Sequence, residues 1–121
     1  MQGNYDYQSG MQAADRLLAL PKPPSAIFAS NDDMAAAAVS VAHRRGIDVP
    51  SDLSVCGFDD TSLATTIWPT LTTVRRPTAD LTEAAFKLVL QGIAREAPNV
   101  TPDNVVLDHV IVLRESHGPP A

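Results

Sequence analysis

The amino-acid sequence predicts an α/β fold with a parallel sheet, because short buried strands alternate with helices along the chain. The apolar run Ala26 to Ala29 and the stretch DLSVCGF each have the length and composition of a buried strand. An alanine-rich helix follows the first, a short capped turn follows the second, and a long amphipathic helix follows a third strand, LTTV. Strands that alternate with helices in this way favour a parallel sheet with crossover connections.

The remaining elements follow from apolar periodicity and turn residues. The segment SGMQAADRLLAL predicts a first helix, which the prolines of PKPP end. The alanine-rich helix is expected over Asp32 to Arg45, before a turn at Gly46 to Pro50. The amphipathic helix TADLTEAAFKLVLQGIAREA has Thr78 as one possible cap. Its inward stripe is formed by Leu81, Ala84, Ala85, Leu88 and Val89. The tail NVVLDHVIVLRES predicts one or two further strands, and HGPPA is expected to be a frayed end.

Composition limits the classes of function. The chain has 121 residues, of which 45% are apolar and 19% charged, as in one ordinary globular domain. Its net charge of -5 argues against nucleic-acid binding by this chain, since phosphate contacts need clustered Lys and Arg. Cys56 is the single cysteine and can form no intrachain disulfide, which suits a reducing cytoplasm. No apolar run is long enough to span a membrane, and the start MQGNYDYQSG is too polar for a signal peptide.

Polar side chains follow two of the predicted strands at the point where each strand ends. Asn31, Asp32 and Asp33 follow the first, and Asp59 and Asp60 follow the second. Asn at a helix cap and acids in the first turn are common without any ligand, so capping alone can explain the first cluster. Ligands of open parallel sheets bind beyond the carboxyl ends of the strands, and a second cluster at the same edge favours a binding site there.

An enzyme and a phosphate-accepting signalling domain can both use such an acidic edge, but each needs a further group. None of His43, His109 and His117 lies at a strand-to-helix junction, where it could serve as acid, base or metal ligand. The signalling domain needs a Lys at a strand end, and neither Lys22 nor Lys87 is in such a place. No glycine-rich phosphate loop is present. The sequence therefore predicts no enzymatic activity, no cofactor and no metal site.

A binding module for a polyhydroxylated small molecule needs less chemistry. Amide and carboxylate groups at strand ends bind hydroxyls, and an aromatic ring covers the apolar face of a sugar. Tyr5, Tyr7 and Trp68 are the candidate rings, and packing alone explains each of them about equally well.

Four motifs, in this order and spacing, carry a resemblance that covers nearly the whole chain: GNYDYQSG, FASNDDMAAAA, RRGIDVPSDLSVCGFDDT and PTLTTVRRP. They resemble the C-terminal part of the effector-binding domain of the lactose and galactose repressor family (LacI/GalR). The resemblance implies a Rossmann-like, parallel-sheet lobe of a periplasmic-binding-protein-like (type I) domain, and an incomplete one. Members of the family have two α/β lobes joined by three crossovers, and their effector changes the operator affinity of a separate helix-turn-helix.

The resemblance also assigns candidate effector-binding residues. Asn31 in SNDD and Asp59 in GFDD match positions that bind effector hydroxyls, and Tyr5 in GNYDY matches the cleft aromatic residue. Arg76 in TTVRRP matches a hinge-strand position that is most often an amide, so it favours an anionic or uronate-like effector. By the same comparison, Asp32 and Asp33 are expected to be capping and dipole groups. Asp60 and Thr61 are expected to cap the next turn, and the small alanines to let their helix lie close to the sheet.

The family's architecture predicts how the chain is divided. Residues 1–76 are expected to form most of the C-terminal lobe, 77–104 to belong to the N-terminal lobe, and 105–121 to return to the C-terminal lobe. Operator DNA would then be bound only through a headpiece outside this chain, which is the effector-sensing fragment of a repressor. A fragment of a periplasmic sugar-binding transport protein of the same fold is the alternative. The inward stripe of the helix in 77–104 would face water, which predicts self-association as a homodimer.

Overall fold

The computed structural model describes residues 2–94 and 104–119. Its helices are α1 (Tyr7–Leu18), α2 (Asp32–Arg44), α3 (Leu63–Thr66) and α4 (Thr78–Ala94). Its strands are β1 (Ala26–Phe28), β2 (Ser54–Asp59), β3 (Thr72–Arg75) and β4 (Val110–Val112). The predicted elements are present with small shifts of their ends. The last three residues of the amphipathic helix, 95–97, lie outside the described residues.

The four strands form one sheet in the order β1-β2-β3-β4. The first three are parallel, with Ile27 opposite Val55 and Gly57 opposite Thr73. The tail supplies a single strand, which pairs antiparallel with β3. The predicted parallel α/β sheet is therefore confirmed, with an antiparallel strand added at one edge. The carboxyl ends of β1, β2 and β3 meet at the same edge, which brings the two polar clusters of the sequence together.

Small residues let α1 and α2 pack closely. A Cβ added at Gly10 would lie only 2.7 Å from the backbone Cα of Met34 and 3.0 Å from the side chain of Ala37. Ala35 and Ala38 of α2 are almost completely buried in the same core as Val55 of β2. The predicted role of the alanine run, close packing of its helix on the sheet, is therefore confirmed.

The described chain divides into two compact units, one formed by Met1–Arg75 with Val110–Ala121 and the other by Arg76–His109. The second unit contains α4, whose predicted inward stripe faces water at Leu81, Ala85 and Val89, whereas Leu88 is half-buried. Thr78 is the first residue of α4 and not its cap. The assignment of residues 77–104 to another lobe stays a prediction.

The chain end re-enters the sheet where β2 and β3 begin. Ser116 is completely buried, and its carbonyl accepts a hydrogen bond from the Val55 N–H at 2.8 Å. Its hydroxyl donates to the Val55 carbonyl at 2.5 Å and accepts from the Thr72 N–H at 2.8 Å. Pairing between β2 and β3 starts at Cys56 and Thr72, so Ser116 satisfies backbone groups at that point and one residue before it.

The prediction of a frayed HGPPA end is wrong for its first two residues. The Gly118 N–H donates to the Ser54 hydroxyl at 3.1 Å, and the Nδ1 of His117 lies 2.8 Å from the Thr72 hydroxyl. Neither partner is close in sequence, so nothing in the local composition indicates that this segment is held.

Asp60, in the loop after β2, ties that loop to both strands that lead to or from the second unit. Its carboxylate pairs with Arg75, the last residue of β3, at 2.5 Å and with Arg114, just after β4, at 2.6 Å. The side chain of Asp60 is only 7% exposed. Burial by itself would raise the pKa of Asp60, but the hydrogen bonds and charges of Arg114 and Arg75 outweigh it and hold the pKa below its ordinary value of 3.8.

We predict that Ser116→Ala lowers the free energy of unfolding by about 2 to 4 kcal/mol, because it leaves a buried N–H and a buried carbonyl without their partner. Ser62→Ala is the matched control, since Ser62 is exposed and its side chain makes no cap hydrogen bond. Urea unfolding of the three proteins measures the difference. Equal stabilities for the two variants would show that the hydroxyl of Ser116 is not needed between the strands.

We predict that Asp60→Asn lowers stability by about 1 to 3 kcal/mol at neutral pH and that this difference shrinks in acid. Because the folded pKa lies below 3.8, the ionised carboxylate stabilises the fold above that pH, and its contribution is lost as the pH falls through the folded pKa. Unfolding curves between pH 7 and pH 3 measure the difference.

The matched control is Asp15→Asn, which removes an exposed Arg–Asp pair with Arg45. Exposed pairs contribute little, so this variant is expected to differ from the natural protein by less than about 1 kcal/mol. A difference for Asp60→Asn that stays constant down to pH 3 contradicts the prediction.

Candidate functional site

Asn31 lies at the carboxyl end of β1 and is 8% exposed. Its Oδ1 accepts a hydrogen bond from the Met34 N–H at 2.9 Å, which makes it the N-cap of α2. Its Nδ2 donates to the Tyr5 carbonyl, also at 2.9 Å. The capping interpretation is therefore confirmed for Asn31. These two bonds use one of its two N–H groups and one lone pair of its oxygen, so the amide keeps capacity for a ligand.

The bond from Asn31 holds the backbone of Tyr5 at this edge of the sheet. Tyr5 has a φ of 59°, which is uncommon for a residue with a side chain, and the residue is 69% exposed. Tyr7 is the first residue of α1 and is also exposed. The structure thus brings Tyr5 and Asn31 together, as the candidate site requires.

Trp68 lies elsewhere. Its ring is 5.4 Å from that of His43, near the C-terminal end of α2. At 1.5 Å per residue, about 16 Å of helix separates His43 from Asp32 at the other end. Trp68 is therefore not a ring of this edge of the sheet.

Asp59 is the last residue of β2 and is opposite Arg75 in the pairing of β2 with β3. It is partly exposed and has a φ of 107°, and Asp60 follows with a φ of 56°. The expectation that Asp60 and Thr61 cap the next turn is wrong. Ser62 is the N-cap residue of α3, while Asp60 pairs with two arginines and Thr61 bonds to another helix.

The residue of α2 that bonds to Thr61 is Asp32, which is 1% exposed. The Oδ2 of Asp32 accepts from the N–H of Thr61 at 2.7 Å and from its hydroxyl at 3.1 Å. Its Oδ1 accepts from the hydroxyl of Thr73 in β3 at 2.6 Å. Asp32 is in the first turn of α2, as predicted, but it is far more than a dipole group. Asp33, the next residue, is exposed and fits the dipole interpretation.

Sequence reasoning missed the burial of Asp32, although helical spacing contained a signal for it. The residues three, four and seven positions later are all buried, so Asp32 lies on the face of α2 that packs on the sheet: Ala35, Ala36 and Val39. An acid on that face needs donors from elsewhere in the fold. Which residues supply them is set by the tertiary structure.

The same surroundings disfavour the thiolate form of Cys56. Burial raises the pKa of the Cys56 thiol, and the negative charge of Asp32 raises it further. No group of three or more His, Cys, Asp or Glu side chains within residues 2–94 and 104–119 could hold a metal ion. Arg76, the fourth candidate site residue, is the first residue of the second unit.

No helix in the described parts of the chain has the length and apolar character to cross a membrane.

Comparison with known proteins gives consistent matches. The model of the periplasmic binding protein-like domain family matches residues 1–117. The probable HTH-type transcriptional repressor ExuR of Bacillus subtilis is 40% identical over 116 residues, which are 96% of this chain and 34% of the relative. The chain thus spans about a third of the length of the curated relatives that it matches.

Two solved structures are similar over almost the whole chain. The transcriptional regulator CelR in complex with cellobiose has a TM-score of 0.85 and 34% identity, covering 94% of this chain and 34% of that one. The dimeric Lac repressor has a TM-score of 0.84 and 28% identity, covering 98% and 43%. The parallel sheet, the polar edge and these matches agree, and the chain belongs to the periplasmic binding protein-like domain family in the form found in LacI/GalR regulators.

Proposed function

We propose that this chain is the effector-sensing part of a LacI-type transcriptional repressor, whose operator is bound by a helix-turn-helix elsewhere in the full-length protein. The observation that carries the proposal is the polar edge of the sheet, where Asn31 holds Tyr5 and Asp59 ends the neighbouring strand. The curated relatives along this chain include the probable transcriptional repressor ExuR and the transcriptional repressor CytR. They favour a regulator over a periplasmic transport protein of the same fold.

The chemistry of the edge suits binding and not catalysis. Asn31 offers a donor and an acceptor, and Asp59 offers carboxylate oxygens, which together bind the vicinal hydroxyls of a sugar. The exposed ring of Tyr5 can cover the apolar face of the same molecule. Repressor relatives and an edge made for hydrogen bonding both argue against an enzyme.

A sugar-like effector follows from this chemistry, and CelR, a similar protein, is known in complex with cellobiose. Arg76 extends the proposal to the charge of the effector. A guanidinium pairs with a carboxylate through two parallel hydrogen bonds, an interaction that a neutral sugar does not offer. An anionic or uronate-like effector would use it.

The remaining parts of the proposal concern assembly and location. The Lac repressor, a similar protein, is dimeric, and a homodimer is proposed here as well. The apolar side chains that α4 exposes suit such an association: Leu81, Phe86, Val89, Leu90 and Ile93. A repressor acts where the DNA is, so the cytoplasm is the proposed location.

We predict that Asp59→Ala weakens effector binding by about 10- to 100-fold in the full-length protein, because a hydrogen bond to a charged group contributes about 1.5 to 3 kcal/mol. Asp33→Ala is the matched control, since it removes an exposed carboxylate from the first turn of α2. Titration calorimetry with D-galacturonate and D-galactose as probes measures both. An equal loss from the two substitutions would refute the assignment of Asp59.

We predict that Arg76→Gln lowers the preference for D-galacturonate over D-galactose by about 10-fold, because only the former has a carboxylate to pair with the guanidinium. The two probes differ at one carbon, so other contacts cancel in the ratio of their dissociation constants. Arg44→Gln, an equal charge change on an exposed residue of α2, is expected to leave the ratio unchanged. A ratio that is the same in the natural protein and in Arg76→Gln argues for a neutral effector.

A further inference from the structure

The turn that carries Asp59 has a backbone conformation that its surroundings must maintain. Asp59 and Asp60 both have positive φ angles, 107° and 56°, and neither is glycine. Such conformations cost free energy for a residue with a side chain, so two in succession persist only where neighbouring contacts hold them. Two sets of contacts do so: the arginine pairs of Asp60 and the bonds from Thr61 to Asp32.

The hydrogen bonds to Asp32 connect the two halves of the candidate site, the end of β1 and the turn after β2. Asp32 follows Asn31 directly in the chain, and its partner Thr61 is two residues from Asp59. The third bond, from Thr73, fixes the same carboxylate to the central part of β3. One buried side chain therefore connects the residue next to Asn31 with the turn that carries Asp59, in addition to the arginine pairs of Asp60.

Gly57 shows how closely the carboxylate is fitted. A Cβ at this position of β2 would overlap the Oδ1 of Asp32 and would lie 2.9 Å from a methyl group of Leu71. Asp32 thus has the strand backbone beneath it and a threonine hydroxyl on either oxygen. It has no room to move to another rotamer without losing these bonds.

We propose that Asp32 is a positioning residue for the effector site, which it serves without touching the effector. The proposal rests on the proposed function for the identity of that site. Binding groups must be held to within about 0.5 Å to be effective, and flexible turns seldom achieve this alone. Asp32 supplies the constraint by fixing Thr61, and with it the turn that presents Asp59, relative to Asn31.

The donors around Asp32 decide how its variants behave. The Thr61 N–H can only donate, whereas the Thr73 hydroxyl can also accept. Asp32→Asn therefore keeps a bond to each threonine with its oxygen toward Thr61, but loses the charge that strengthens them. Asp32→Ala loses all three bonds. Thr61→Ser keeps the hydroxyl and is the conservative variant, and Thr61→Ala removes it.

The first measurement needs no ligand and uses the chain as it stands. Hydrogen exchange measured by NMR follows the Thr61 amide, whose N–H donates a hydrogen bond to Asp32. The Val55 amide in the core is the internal reference. Relative to Val55, the Thr61 amide is expected to exchange about 10-fold faster in Asp32→Ala and at the natural rate in Asp33→Ala. An unchanged ratio in Asp32→Ala overturns the proposal.

The second measurement is the affinity of the full-length protein for D-galacturonate and D-galactose. Asp32→Asn is expected to weaken binding by about 10-fold, Thr61→Ala to weaken it, and Thr61→Ser to restore it to within about 2-fold. Val41→Ala, a cavity variant in the core of α2, is the stability control, and it is expected to lower the melting temperature with affinity unchanged. A loss of affinity in Val41→Ala as large as in Asp32→Asn would mean that Asp32 acts through stability alone.

The outcomes separate this proposal from the proposed function. If Asp59→Ala weakens binding and Asp32→Asn does not, the effector site stands and the role of Asp32 is overturned. If Asp59→Ala binds like the natural protein, the assignment of the effector site fails, and if the natural protein binds neither probe, the proposed class of effector fails. The exchange of the Thr61 amide then still decides whether Asp32 holds the turn.

Discussion

The arrangement of the polar edge depends on the buried carboxylate of Asp32. It accepts three hydrogen bonds from two other elements of the fold, and each bond to a charged group contributes about 1.5 to 3 kcal/mol. The more exposed pair of Arg45 with Asp15 contributes at most about 1 kcal/mol. The carboxylate therefore connects α2, the turn after β2 and the strand β3 directly, in addition to the apolar core that α2 shares with β2.

The sequence around Asp32 makes this contact possible. The alanines of α2 let the helix approach the sheet, and Gly57 lets the backbone of β2 pass beneath the carboxylate. A larger side chain at either place would move the helix outward and separate Asp32 from Thr73. A carboxylate is costly to bury without hydrogen-bond donors. The small residues bring Asp32 close enough to the sheet to reach its donors.

The fold could be predicted largely from local patterns, because apolar periodicity and helix caps depend on residues that are close in sequence. The cap of Asn31 on Met34 spans three residues, and the buried face of α2 follows from its spacing. Contacts made across the chain could not be predicted in this way. Asp60 meets Arg114, and Ser116 meets Val55, through partners more than fifty residues away, so composition near either end gives no sign of them. Asn31, Tyr5 and Asp59 could be assigned as candidates from family motifs, whereas the role of Asp32 needed the tertiary structure.

Neighbouring acids in this chain take opposite roles because the backbone turns them in different directions. Successive residues of a helix point about 100° apart, so Asp32 faces the sheet while Asp33 faces water. At the end of β2, the side chain of Asp60 lies among arginines while Asp59 stays partly exposed. The buried member of each pair has its donors within the protein and stabilises the architecture. The more exposed member of each pair, Asp33 or Asp59, has part of its carboxylate within reach of solvent, so a ligand at this edge of the sheet could approach it.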